Sequence, residues 1–236
     1  MIDYSVVVPC YNEAENLTEL LERFSAFMKD CNAELILVDN GSTDATAGMK
    51  DELLKRFPFT KWVTVGENMG YGHGILQGLI KAQGRFAAYT HADLQTDPDD
   101  VYQAIKLLSL YNQSCIFLKG MRKGRSLVAR VFSRGMEMVV AAILGVKMFE
   151  INSQPTFFDR QLLENMKTAP LHWGFDLYVY YMALKSNYRV LRINVIFPER
   201  KAGKSKWNEG FLSRIKLAVV MIKYCFKIRS DENNKS

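Results

Sequence analysis

Two aspartates stand where apolar runs stop. Asp39 follows Leu35-Ile36-Leu37-Val38, and Asp93 lies just beyond Phe86-Ala87-Ala88-Tyr89. A carboxylate at such a position cannot serve as core, because an unpaired buried charge is costly. Asp39 can accept from the ring N–H of a nucleobase or from ribose hydroxyls. Asp93 and Gln95 offer two hard oxygen donors two residues apart. That pair suits Mg2+ or Mn2+ carrying a diphosphate, where the cation would act as Lewis acid and template.

The elements around them explain why these side chains should meet. Tyr4–Pro9, Glu34–Asp39, Lys61–Val65, Arg85–Thr90 and Cys115–Lys119 read as buried strands. Amphipathic helices are predicted over Asn16–Lys29, over Thr43–Phe57 behind the capping residues Ser42, Thr43 and Asp44, up to about Gln83, and from Asp97-Pro98 to Tyr111. Alternation of this kind implies parallel strands with right-handed crossovers. Ligands of such sheets bind outside the carboxyl ends of the strands. Four loops should gather there: Pro9–Glu13, Asp39–Asp44, Glu67–Gly74 and His91–Gln95. The glycines of the third loop would let backbone approach a ligand closely. The spacing excludes a dinucleotide fingerprint, since Ile75 or Gln77 stands where its third glycine is required. Asp44 reads better as a helix cap than as a ligand.

The second half is less regular. Helices are predicted over Val128–Val146, Gly174–Ser186 and Gly210–Lys227, a short strand over Thr156–Asp159 and another over Tyr188–Phe197. The 236 residues suit one α/β domain, and 48% apolar with 24% charged residues excludes intrinsic disorder. Charge is unevenly spread: residues 1–100 hold 8 basic and 16 acidic side chains, residues 101–236 hold 23 and 9. A basic second half suggests an anionic partner. The four scattered cysteines argue against disulfides and zinc, and fit a reducing compartment. No signal peptide or membrane-spanning run is expected. Nucleic acid is disfavoured, because the basic residues accompany no recognition motif.

At Val8–Glu13, Leu37–Asp44, Glu67–Gly78, Tyr89–Pro98 and Arg200–Trp207 the chain resembles a family-2 inverting glycosyltransferase of the GT-A fold. It is most similar to the dolichyl- or polyprenyl-phosphate sugar synthases. The resemblance implies an α/β fold with a mostly parallel central sheet flanked by helices. It implies a single catalytic domain over 1–209, followed by a basic amphipathic helix at 210–229 and a disordered tail at 230–236. Pro9, Tyr11, Glu13 and Asp39 are implied to line the nucleoside pocket, with Asn12, Asn68, Gly70, Gly72 and Ala92 completing the donor-binding set. Asp93 and Gln95 belong to its metal motif, and His91 replaces that motif's first aspartate as a third candidate ligand. Arg200, Ser205 and Lys206 match a basic segment that contacts phosphate. The implied cofactor is Mg2+ or Mn2+, and the implied donor is a UDP- or GDP-linked sugar.

The acceptor divides two mechanisms. A lipid phosphate is already an oxyanion and needs positioning and charge screening. A hydroxyl acceptor needs a base, for which Asp176 and Glu150 are the candidates. The leading expectation is transfer to a polyprenyl phosphate or lipid-linked glycan in cell-envelope glycan synthesis. The alternatives are a sugar-hydroxyl acceptor served by Asp176, and a non-catalytic nucleotide-sugar binder or scaffold. The basic stretch Lys119–Arg134 and the last helix read as a membrane-surface contact, so the expected location is cytoplasmic and peripheral, at the inner membrane face.

Overall fold

The computed structural model describes residues 2–166, 168–196 and 211–233. Its centre is a seven-stranded sheet in the order β3-β2-β1-β4-β6-β5-β7. The strands are β1 (Tyr4–Cys10), β2 (Ala33–Asn40), β3 (Thr60–Val65), β4 (Phe86–Tyr89), β5 (Ile116–Lys123), β6 (Thr156–Asp159) and β7 (Arg189–Ile196). Pairing is parallel except on both sides of β6, which runs antiparallel to β4 and β5. The sheet is therefore mostly parallel, with one reversed strand.

Both faces of the inner sheet are covered, so β1, β2, β4 and β6 are buried along nearly their whole length without alternation. Val7, Ile36, Val38, Tyr89, Phe117 and Phe158 face one side, with Ile75 and Leu79 of α3 (Tyr71–Leu79) and Phe175 and Val179 of α6 (Phe175–Lys185). Val6, Val8, Leu35, Leu37, Leu118 and Phe157 face the other. There they meet Leu17, Leu21 and Phe24 of α1 (Ala14–Met28) and Val101 and Ile105 of α4 (Pro98–Leu108). Alternate residues of each strand thus feed two separate cores.

Several boundaries differ from the sequence reading, each for a local reason. The helix expected over 43–57 divides into a 3-10 segment at Ala45–Met49 and α2 (Lys50–Arg56); it contains Gly48, a weak helix former. α3 stops at Leu79, because the backbone N–H groups of Gln83 and Gly84 turn back to donate to Ser5 Oγ at 3.0 and 2.7 Å. α5 spans Leu127–Leu144, and α7 (Phe211–Asn233) continues through Ser230–Asn233, where a disordered tail was expected. Asp44 is indeed a cap: its side chain accepts from Thr46 N at 2.9 Å and from Ala14 N at 3.3 Å.

One acid in this framework carries a cost. Asp97 caps α4 and pairs with Arg23 at 2.6 Å. Asp100, three residues later, has an Oδ2 that is buried without a hydrogen-bond partner among the described residues. Burial, then the Asp97 and Asp99 charges, push its carboxyl up to about 7. The folded chain thus holds that proton more tightly than the unfolded chain. The cost is absent below the ordinary carboxylate range, grows as pH rises and is complete above about 7. Asp100→Asn is expected to stabilise the protein at pH 8 by about 1 kcal/mol, after discounting for partial exposure, and to change nothing at pH 4. Thermal unfolding at the two pH values checks this.

Candidate active site

The sheet topology places the candidate carboxylates on one edge. Asp39 pairs in register with Cys10, so it ends β2 beside the end of β1. β4 lies on the other side of β1, with Tyr89 opposite Val7 and Thr90 N donating to Val7 O at 3.0 Å. Asp93 continues from that strand past the same edge. The two aspartates therefore flank the carboxyl end of β1.

The first two loops are stitched into one rim. Asn12 takes a left-handed backbone (φ 57°) that asparagine tolerates. Its Oδ1 accepts from Thr43 N at 2.8 Å and its backbone N donates to Ser42 Oγ at 3.1 Å. Glu13 N donates to Thr46 Oγ1, and Glu13 Oε2 accepts from Asn16 Nδ2 at 2.6 Å. Asp39 is buried, with Oδ1 accepting from Ser42 N at 2.9 Å. Pro9 and Tyr11 are half-buried beside it. Asn12 thus acts between loops, a role that spacing alone did not reveal.

The third loop lies against the chain's own backbone. Gly70 has φ +117°, and a Cβ there would stand 2.5 Å from Leu171 O. A Cβ on Gly72 would stand 2.3 Å from Pro170 O. The close approach that Gly70 and Gly72 permit here is to the chain's own 170–172 segment. Asn68 Oδ1 accepts from Gly70 N at 2.9 Å and shapes the same turn.

The fourth loop is strained at its centre. Leu94 adopts φ 57°, an uncommon conformation for a bulky residue and one that marks functional loops. It lies between Asp93 and Gln95, and Asp93 Oδ1 accepts from Gln95 N at 3.1 Å. Ala92 and Asp93 are buried, whereas His91 and Gln95 are half-exposed. His91 stacks on Tyr71, with centroids 6.0 Å apart, and Tyr71 stacks on Trp173 at 4.4 Å. Among the described residues no cluster of three His, Cys, Asp or Glu side chains could enclose a metal ion. One carboxylate, one amide oxygen and one imidazole suit instead a hard cation whose remaining ligands arrive with a substrate diphosphate.

Below this wall lies a buried polar cluster. Asp176 Oδ1 accepts from Gln154 Nε2 at 2.7 Å, Tyr89 Oη at 3.0 Å and Lys119 Nζ at 3.3 Å. Lys119 Nζ also donates to Thr156 Oγ1 at 2.8 Å. The sequence reading took Lys119 only as the start of a basic stretch. The usable signal was a lysine closing the apolar run Ile116-Phe117-Leu118. Glu150, the other candidate base, is held by Arg122 at 2.6 Å and Arg125 at 3.4 Å. Arg200, Ser205 and Lys206 lie outside the described residues.

Known proteins share this architecture. The chain is 26% identical to the dodecaprenyl-phosphate galacturonate synthase of Rhizobium johnstonii, over 97% of this chain and 69% of that protein. It is 25% identical to the dolichol-phosphate mannosyltransferase of Pyrococcus furiosus, over 86% of this chain and 58% of that protein. The chain thus spans about three fifths to two thirds of the length of these relatives. Glucosyl-3-phosphoglycerate synthase from Mycobacterium tuberculosis, crystallised with Mn2+, UDP and glucosyl-3-phosphoglycerate, superposes with a TM-score of 0.67. Identity there is 19%, over 93% of this chain and 77% of the other. The likeness establishes the GT-A fold. Residues 5–179, three quarters of the sequence, match the family profile described as Glycosyl transferase family 2, and the chain belongs to that family.

Proposed function

We propose that the protein transfers a sugar from a UDP- or GDP-linked donor to a polyprenyl phosphate, with inversion at the anomeric carbon. The carrying observation is the single edge on which Asp39 and Asp93 flank β1. Asp39, Pro9, Tyr11 and Glu13 would hold the nucleoside, over a rim kept rigid by Asn12. Asp93, with Gln95 and His91, would hold Mg2+ or Mn2+ on the donor diphosphate. When bound, that cation screens charge developing on the leaving group.

An acceptor phosphate oxygen would attack the sugar carbon opposite the diphosphate. The bond to the acceptor forms as the bond to the nucleoside diphosphate breaks, and no proton need be removed. Two features support an anionic, lipid-borne acceptor. Arg122 and Arg125 converge on Glu150 beside a narrow cleft lined by Phe132, Met136, Ile151, Leu217 and Met221. α5 also leaves Leu127, Val128, Val131 and Met138 largely exposed, interspersed with Arg130 and Arg134. Such a face suits an anionic membrane surface. No described helix is long and apolar enough to cross a membrane. The names of both relatives, a dodecaprenyl-phosphate and a dolichol-phosphate enzyme, point to the same acceptor class.

The test is a panel of UDP- and GDP-sugars with Mn2+, read first by thermal shift and then by transfer to undecaprenyl phosphate. One donor should raise Tm through mass action and yield a glycolipid of inverted anomeric configuration by NMR. A panel in which no donor binds, or a product that retains configuration, would refute the reading.

A further inference from the structure

Lys119 is the least expected charge in the protein. Its side chain is wholly buried in the sheet, between the two cores. Its Nζ reaches only 3.3 Å from Asp176 Oδ1, a carboxylate that is itself 3% exposed. We propose that Lys119 holds Asp176 as a buried ion pair whose contacts position the aromatic wall of the site, so that Asp176 serves as a positioning residue and not as the base for a hydroxyl acceptor. This rests on the phosphate-acceptor reading above and gives Asp176 its task in it.

The chain of contacts is continuous. Asp176 Oδ1 takes three donors: Lys119, Tyr89 Oη and Gln154 Nε2. Gln154 Nε2 also donates to Tyr71 Oη at 3.3 Å. The Tyr71 ring carries Trp173 and His91, and His91 is two residues from Asp93. Three donors on one oxygen, one of them a cation, tie Asp176 into the fold beneath the wall. Lys119 acts through Asp176 and Gln154 and touches no reacting atom.

The charged groups facing Lys119 are Asp176 on α6, Arg122 on β5 itself and Arg192 on β7, and Thr156 on β6 accepts from its Nζ. Burial, opposed by Asp176 and aided by Arg192 and Arg122, lowers the ammonium to about 8. The pair should therefore come apart electrically on the alkaline side of neutrality, when Lys119 loses its proton.

Four forms of the full chain test this: wild type, Lys119→Met, Asp176→Asn and the double variant. Each is assayed from about pH 6 to about pH 9.5 with undecaprenyl phosphate or an alkyl glycoside as acceptor, alongside thermal unfolding. Each single variant is expected to lower Tm by about 10 °C, and the double variant to recover most of that loss. Wild-type kcat/KM on the lipid phosphate should fall above pH 8. The double variant should lose that alkaline limb, stay within about tenfold of wild type at pH 7 and gain no transfer to the glycoside. A folded double variant slowed about a thousandfold, with its acid limb gone, would make Asp176 a base and overturn the proposal. So would a Lys119→Met variant as stable as wild type. A wild type that glycosylates only the alkyl glycoside sinks the acceptor reading instead, and the coupling between the two substitutions then still decides the ion pair.

Discussion

Asp93→Ala is expected to lower kcat/KM for sugar transfer by about a thousandfold, or about 4 kcal/mol of transition-state stabilisation. The size follows from the composition of the donor set. Of His91, Asp93 and Gln95, only Asp93 brings a negative charge. Without it, a hard divalent cation on the diphosphate keeps one amide oxygen and one imidazole, both weak partners for Mg2+. The left-handed Leu94 holds the loop in shape at some cost in backbone energy, which is justified only if the side chains flanking it must be aimed. His91→Ala should cost much less, about tenfold, because the imidazole brings no negative charge to the cation and is held by stacking on Tyr71. Initial rates at saturating Mn2+, with circular dichroism to confirm folding, check both. Turnover of Asp93→Ala within about threefold of wild type would show that the cation is not held there.

The sequence was most informative where period and chemistry agreed. Apolar runs leading to Asp39 and Asp93 indicated strands, and the sheet brings the carboxyl ends of those strands to one edge. Asp44 was legible as a cap because Ser-Thr-Asp before a helical stretch has a local physical meaning. Contacts that depend on residues far apart in sequence were not legible. The reversed direction of β6 is set by how the chain returns from α5, not by anything in Thr156–Asp159. Asn12 reads as a loop polar residue, yet its amide oxygen accepts from Thr43, 31 positions away.

Lys119 shows the same limit more sharply. In sequence it opens a run of basic residues and invites a surface reading. In the fold it turns inward, because Thr156 and Asp176, from two other segments, supply the partners that make burial tolerable. Asp176 was likewise legible as an acid at a helix start, favourable to the dipole, but its counter-ion was not. A base assignment made from the residue type alone misses that counter-ion.

Gly72 gives the largest stability effect expected outside the ion pair. A Cβ at this position would stand 2.3 Å from Pro170 O, 3.0 Å from His172 O and 3.0 Å from Phe175 Cβ. The nearest obstacles are backbone carbonyls, so no side-chain rotation relieves them. Either α3 or the 170–175 segment must move, and that segment already receives His73 N on Leu171 O at 3.1 Å. Gly72→Ala is therefore expected to cost about 3–4 kcal/mol and to lower Tm by about 10 °C. Gly48→Ala is the control: nothing lies within 4 Å of its added methyl group, and a helical alanine should gain up to about 1 kcal/mol. The same displacement in Gly72→Ala shifts Trp173 away from Tyr71, so the surviving folded fraction should bind donor more weakly, by about tenfold. Differential scanning calorimetry with donor titration separates the two losses. A Gly72→Ala variant with wild-type Tm would mean that α3 and the 170–175 segment are not packed against one another, and the wall built on Tyr71 would then lack its support.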